Sequence, residues 1–311
     1  MMDVISVVVP CYNEEQAVPL FMSAIAAIAD KMSERAEFEF IFVDDGSCDA
    51  TLDVLRRLSE KDSRVKYISF SRNFGKEAAM FAGLEHAGGD YVAVMDADLQ
   101  HPPELIEEMY AIINTREYDC VAAKRAPGGG EPCMRLFFSR AFYRLINSIS
   151  KVKLTQGALD YRLMTRQLVN SILQMRERSR FLKGIYSWVG FRTKWIECES
   201  RERKAGKSAW SLGKLICYSL DGIALFSSAP LYLSFALGAL FCLLAFGLLV
   251  AAVIEAACYG SLPRITSVLC AGFFVGGAQL ICTGILGLYI YKTHLEVKRR
   301  PIYIVKEMSV R

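Results

Sequence analysis

The sequence predicts an α/β fold: a domain with a mostly parallel sheet, followed by a two-helix transmembrane hairpin. Three observations predict it. In the N-terminal part, short β-rich runs alternate with helical runs, the pattern of a sheet covered by helices on both faces. Beyond Ala229 the chain turns almost continuously apolar, in two blocks. The charge is divided as well: residues 1–115 carry 9 Lys/Arg and 21 Asp/Glu, residues 116–311 carry 28 and 12, and the formal net charge of +4 conceals the split. An acidic half suits cations, and a basic half suits phosphate groups and an anionic membrane surface.

Strands are expected at residues 5–9, 40–43, 65–70, 91–95 and 120–123, which are rich in β-branched, aromatic and other apolar residues. Helices are expected between them at 17–31, 51–61, 76–85 and 103–114. Ser47 or Asp49 can cap the second helix, and Pro103 suits a first helical turn. The catalytic-type domain is expected to fill residues 1–210. Residues 211–228 follow as an interfacial amphipathic helix, since 212–226 has an apolar face at helical spacing; a surface helix of the domain would read the same way. Two spans, about 231–254 and 265–291, make the hairpin within 229–291. The first is 24 residues long, roughly 36 Å as a helix, against about 30 Å of hydrocarbon. Residues 292–311 are expected to form a basic tail.

Arg201, Arg203, Lys204, Lys207 and Lys214 precede the first span, and Lys292, Lys298, Arg299, Arg300 and Lys306 follow the second, while the ten-residue hairpin loop holds only Arg264. The positive-inside rule places the domain and both termini in the cytoplasm, at the plasma (inner) membrane. Gly272, Gly276, Gly277, Gly284 and Gly287 give the second span a small-residue face, for the first span or for a second protomer in a homo-oligomer. Ten cysteines without a Cys-x-x-Cys pair and three histidines argue against a zinc site or a disulfide framework. The N-terminal ten residues do not make a signal peptide.

In a parallel sheet, ligands bind beyond the carboxyl ends of the strands. The expected first strand is followed by Pro10, Cys11, Tyr12, Asn13, Glu14 and Glu15, the second by Asp44, Asp45, Gly46 and Ser47, and the fourth by Asp96, Ala97, Asp98, Leu99 and Gln100. Clustered carboxylates repel one another unless a cation or hydrogen-bond donors compensate. Oxygen ligands without His or Cys select a hard cation, Mg²⁺ or Mn²⁺.

On the stretches VVVPCYNEE, FVDDGSCDAT, SRNFGKEAAMFAG, VMDADLQHPPE, LDYRLMTR and RERKAGKSAW, in this order and followed by two apolar spans, the chain resembles family 2 of the inverting nucleotide-sugar glycosyltransferases. These have the GT-A fold, and the narrower likeness is to dolichol-phosphate mannose synthase and the bactoprenol (polyprenyl-phosphate) glucosyltransferases. The resemblance implies that Pro10, Tyr12 and Glu14, with Asp44 or Asp45, hold the base and ribose of the donor. It implies Asp96, Asp98 and Gln100 as metal ligands that also gather the donor diphosphate, with Arg72 and Lys76 close by. Arg125, Arg135 and Ser139 match positions that hold an acceptor phosphate. Arg203 and Ser208 match a loop that closes over the donor; the lysine expected after that serine is Ala209 here, and Lys207 or Lys204 stands nearby. Asp160 matches a catalytic aspartate, a candidate base or sugar-orienting group that could instead pair structurally with Arg162 or Arg166. Residues 135–146 combine basic and apolar positions at helical spacing, which suits a lipid head group at the membrane surface, or simply a solvated basic face over a packed one.

The implied reaction is transfer of a sugar, with UDP-glucose the first choice, to a polyprenyl phosphate such as undecaprenyl phosphate. GDP-mannose, UDP-galactose or UDP-aminoarabinose-type donors stay open. A processive polysaccharide synthase is disfavoured because the chain lacks a Gln-x-x-Arg-Trp stretch. A non-catalytic nucleotide-sugar-binding membrane protein is disfavoured by the intact acidic clusters. A nucleic-acid partner is not expected, because membrane and lipid phosphate account for the basic half.

Overall fold

The structure, a computed structural model, describes residues 2–126, 143–144, 146–148, 152–178, 180–199, 229–259 and 265–309. In chain order the elements are β1 (Asp3–Cys11), α1 (Ala17–Lys31), β2 (Ala36–Asp44), α2 (Thr51–Lys61), β3 (Val65–Phe70), α3 (Lys76–His86), β4 (Tyr91–Val94), α4 (Leu105–Ile113), β5 (Cys120–Arg125), β6 (Ala158–Thr165), α5 (Arg166–Gln174), α6 (Leu182–Trp188), β7 (Thr193–Cys198), α7 (Ala229–Tyr259), α8 (Ile265–Val297) and β8 (Val305–Met308).

The strands form one eight-stranded sheet in the order β7-β5-β6-β4-β1-β2-β3-β8. Strand β1 pairs in parallel with β2 and β4, β2 with β3, and β5 with β7. Two strands run the other way: β6, between β4 and β5, and β8 at the edge. The central strands read as unbroken apolar runs because both faces are covered. Along β1, Val7 and Val9 enter one core with Phe21, Phe42 and Met109, while Val8 enters the other with Met80, Leu84 and Met164. Helix α1 buries Val18, Phe21, Met22, Ile25 and Ile28, a stripe at helical spacing. Helix α3 lies unusually close to β1, since a Cβ on Gly83 would sit 2.1 Å from Val8 Cγ1.

The five expected strands and four expected helices are present. The fourth helix starts at Leu105, with Pro103 in the turn before it. The sheet contains three strands that the periodicity did not suggest, β6, β7 and β8. The last of these changes the meaning of the C-terminal residues. Arg299 takes a left-handed conformation (φ 46°) and ends α8. The chain then returns to the domain and adds β8 antiparallel to β3, with Ile68 opposite Met308 and Ser69 opposite Glu307. Glu307 accepts from Arg56 Nε at 2.8 Å and from the Tyr67 hydroxyl at 2.6 Å. Part of the segment expected as a basic tail, residues 305–308, is therefore built into the sheet.

Helices α7 and α8 run antiparallel, touching through Phe241 and Phe274 (ring centroids 4.8 Å apart) and through Cys282 Sγ and the Ser234 carbonyl at 3.6 Å. Both present bare apolar side chains, among them Leu243, Phe246, Leu280 and Ile281. Among the described residues one stretch, Phe274–Val297, is long and apolar enough to cross a membrane. The expected interfacial helix at 211–228 lies outside the described residues.

Candidate active site

The site is assembled from the carboxyl ends of β1, β2 and β4, the amino end of α3 and the start of β6. After β1 the chain turns at Asn13, whose φ of 55° suits asparagine. Its backbone N–H donates to Ser47 Oγ at 2.9 Å, and its side-chain oxygen accepts from Cys48 N at 2.8 Å. Glu14 N donates to Thr51 Oγ1 at 2.9 Å, and Ala50 N to Glu15 Oε2 at 2.9 Å. The loops after β1 and β2 are thus tied into one ledge. Pro10, paired with Val43, forms its half-buried root, and Tyr12 stands exposed upon it. Burial, with Glu14 and Asp44 nearby, pushes the Cys11 thiol well above its ordinary pKa, so it stays neutral.

Asp44 and Asp45 are both buried, and their carboxylates are engaged by the protein. Asp44 accepts from Ser47 N at 2.9 Å and from Ser69 Oγ at 2.7 Å. Asp45 accepts from Phe74 N at 2.6 Å and Gly75 N at 2.9 Å, the two amides just ahead of α3. Burial raises the Asp45 pKa to about 6; these N–H groups oppose the rise and the Asp44 charge adds to it. Between this ledge and α3, Gly46 is required twice over. Its φ is +68°, and a Cβ there would come within 2.4 Å of the Arg72 backbone. Arg72 itself is exposed, its guanidinium 4.7 Å from the Phe74 ring centroid.

Asp45 therefore fixes the start of α3, and the first residue of α3 is Lys76. Its ammonium lies 2.7 Å from Asp96 Oδ1 and 2.7 Å from Asp160 Oδ2. Sheet register explains the convergence. Val94 of β4 is opposite Arg162 of the antiparallel β6, so Asp96, two residues on, comes level with Asp160, two residues back. Burial disfavours charge on Lys76, but Asp160 and then Asp96 outweigh it and hold the amine protonated. Burial likewise works against the Asp160 carboxylate, yet Lys76 and Lys183 overcome it and hold Asp160 well below the usual range. Arg162 adds to that field, although its own hydrogen bond goes to the Leu159 carbonyl and its guanidinium lies 3.6 Å from the Tyr186 ring centroid, while Arg166 donates to the Gly89 carbonyl.

Asp98 is buried beside this network and accepts from Gln100 N at 3.1 Å; Leu99 between them has φ 55°, a strained value for leucine. His101 follows. Burial is the main force lowering its pKa, against Asp96 and Asp98, and its Nδ1 is buried without a hydrogen-bond partner. Arg125, at the end of β5, donates its backbone N–H to the Gly157 carbonyl at 2.9 Å. Among the described residues no three His, Cys, Asp or Glu side chains gather as a metal site. The side chains of Asp96, Asp98 and Gln100 are of the oxygen-donor type that a hard divalent ion takes. Lys76 already places positive charge on Asp96, where such an ion would add to it.

Sequence reasoning missed Lys183 and His101. Lys183 Nζ donates to the Ala158 carbonyl at 3.0 Å, next to Asp160. Only its position on α6 brings it there, and no motif marks it; His101 could have been noted from its place directly after Gln100. Arg135, Ser139, Arg203, Lys207 and Ser208 lie outside the described residues.

An α/β sheet of this order, with acidic residues following β1, β2 and β4, is the GT-A-like fold of a glycosyltransferase. Residues 6–172 match the family model described as glycosyl transferase family 2. The chain belongs to that family. It is 39% identical over 310 residues to the prophage bactoprenol glucosyl transferase homolog of Escherichia coli K12, covering 98% of this chain and 99% of that one. It is 40% identical over 308 residues to the bactoprenol glucosyl transferase of Shigella phage SfII, covering 97% of each. A putative glycosyltransferase of Bacillus subtilis is 41% identical over 308 residues, 98% of this chain and 92% of that one. Among solved structures, glucosyl-3-phosphoglycerate synthase from Mycobacterium tuberculosis aligns with a TM-score of 0.49 at 18% identity, over 71% of this chain and 78% of that one.

Proposed function

We propose that this glycosyltransferase moves a sugar from a nucleotide-sugar, UDP-glucose first among the candidates, to a polyprenyl phosphate, with inversion at the anomeric carbon. The observation that carries the reading is the Lys76 ammonium joining Asp96 to Asp160, beside Asp98, at the carboxyl edge of the sheet. The bactoprenol glucosyl transferase relatives support the acceptor and the sugar.

Pro10, Tyr12 and Glu14 receive the base and ribose, with the exposed Tyr12 ring as the stacking surface. Asp44 and Asp45 serve this step at one remove, since their carboxylates hold the ledge and the start of α3. Asp96, Asp98 and Gln100 would hold Mg²⁺ or Mn²⁺, which neutralises charge on the departing diphosphate. Arg72 and Lys76, with Arg203, Lys207 and Ser208, add positive charge and hydrogen bonds on the donor side. Arg125, Arg135 and Ser139 orient the acceptor phosphate, which is largely a dianion near neutrality because its second pKa is roughly 6. That oxygen attacks the anomeric carbon as the bond to the diphosphate breaks, so no strong base is needed. Asp160, held ionised by Lys76, acts by fixing Lys76 and orienting the sugar.

Helices α7 and α8 form the transmembrane hairpin, with the domain on the cytoplasmic face, and the glycine-rich side of α8 is available for a second protomer. Their bare apolar surface supports this placement. The test is sugar transfer by the full chain in membranes supplied with undecaprenyl phosphate and a panel of labelled UDP- and GDP-sugars, with Mg²⁺ or Mn²⁺. Label extracted with the lipid from UDP-glucose alone is the expected result. Label from another donor corrects the sugar, and label from none of them favours a non-catalytic binder.

A further inference from the structure

A cavity of about 750 Å³ lies where α8 meets the catalytic domain. Arg176, Arg178, Arg299 and Arg300 line it, against an apolar wall that includes Phe81 and Ile302. Two carboxylates also face it, and both are engaged: Glu85 Oε2 accepts from the Tyr303 hydroxyl at 2.7 Å, and Glu296 Oε1 from Arg178 N at 2.8 Å. Arg178 Nη1 is buried without a hydrogen-bond partner. The cavity is separate from the sugar-transfer site. Glu85 and Lys76 sit near opposite ends of α3, roughly 14 Å apart along its axis.

The position of this cavity indicates its ligand. The apolar stretch of α8 ends at Val297. Leu295 and Glu296 are in its last turn, and Arg299 and Arg300 come directly after it. A guanidinium cluster at the end of a span faces the head-group layer, and the arginine fork matches phosphate oxygens. The apolar wall suits the glycerol and first acyl carbons that such a phosphate carries.

We propose that this cavity binds the head-group phosphate of an anionic phospholipid, and so sets how the catalytic domain sits on the membrane. The proposal rests on the reading of α8 as a membrane span. The full chain in detergent is titrated with phosphatidylglycerol and with phosphatidylcholine, and bound lipid is counted by native mass spectrometry. Selective retention of phosphatidylglycerol is expected. In Arg299→Gln/Arg300→Gln, two exposed positions, its affinity should fall about 30-fold, at ~1 kcal/mol per basic residue removed. Arg299→Lys/Arg300→Lys, which keeps the charge, should retain most of the binding and checks that the loss is not misfolding.

Equal retention of phosphatidylcholine, or unchanged affinity in the glutamine pair, overturns the proposal. Displacement of the lipid by inorganic phosphate at similar concentration also overturns it, in favour of a soluble phosphate ligand. Sugar transfer is measured on the same samples. Lipid selectivity without transfer sinks the proposed reaction alone, and transfer without lipid selectivity sinks this site alone.

Discussion

Replacing Lys76 with Met keeps an unbranched side chain, one atom shorter, and removes the charge that joins Asp96 to Asp160. The three side chains are 35%, 30% and 21% exposed, so each ion pair falls between a surface pair and a buried one. Scaled that way, each contributes about 1–2 kcal/mol, and the variant should lose ~2–4 kcal/mol. For a domain of this size that is a drop in Tm of roughly 5–15 °C. Tryptophan fluorescence of the full chain in detergent, heated with EDTA and again with Mn²⁺, reads the change. Mn²⁺ should raise the Tm of Lys76→Met more than that of the wild type, because the ion supplies charge that the ammonium no longer gives Asp96. A Tm equal to that of the wild type in EDTA, or an equal Mn²⁺ increment in both proteins, refutes the reasoning. Because Asp160 is depressed in the fold, its contribution is present above its unfolded value of about 4 and is lost as the pH falls toward the folded one. The gap between the two proteins should therefore narrow on acidification.

Asp45 has the opposite sign. With a folded pKa raised to about 6, it favours the fold at low pH and loses that contribution as the pH rises through the folded value. The stability difference between wild type and Asp45→Asn should change by about 2–3 kcal/mol between pH 4 and 7, and parallel urea curves across that range would count against it. Gly46→Ala places a Cβ within 2.4 Å of backbone at a positive φ and should cost ~3 kcal/mol or more; a variant as stable as wild type in urea would show that the Arg72 loop can move aside. Asp160→Asn should lose most of its turnover with donor affinity preserved, and unchanged turnover would remove Asp160 from the mechanism. Glu307→Ala should free the last strand and speed chymotryptic cleavage after Tyr303, and an unaltered cleavage rate would mean that the backbone ladder alone retains it.

The first half of the fold was legible because its cause is local. Each expected strand is a β-rich run between turn signals, and helices α1 and α4 bury apolar residues at helical spacing, whereas α3 is buried without a break from Ala78 to Leu84. Strand β6 was harder to read. Its Asp160 and Arg162 lie on the face that meets α3 and α6, where Lys76 and Tyr186 receive them, and nothing in the local sequence announces those partners. Strand β8 was obscured by the basic residues before it, although the run Ile302, Tyr303, Ile304, Val305 after Pro301 carries a β signal. The site was legible as a set of acidic strand ends and less so as a set of roles. Asp44 and Asp45 look like ligands in the sequence, and in the fold their oxygens are spent on Ser69, Phe74 and Gly75. Which carboxylate faces inward depends on contacts across the sheet that spacing does not encode.

The placement of β8 has a consequence for how the protein is made. Tyr67 and Glu307, which bond to each other, are 240 residues apart in the chain. While the ribosome is still producing the two apolar helices, β3 is the outermost strand, with its backbone groups unpaired. An open edge of that kind invites pairing with other chains. The domain can acquire its core early, but its last strand arrives only after the helices have been synthesised and the chain has turned back at Arg299. Completion of the sheet thus waits on the two helices: until they have folded so that residues 305–308 reach β3, the molecule carries an exposed strand edge.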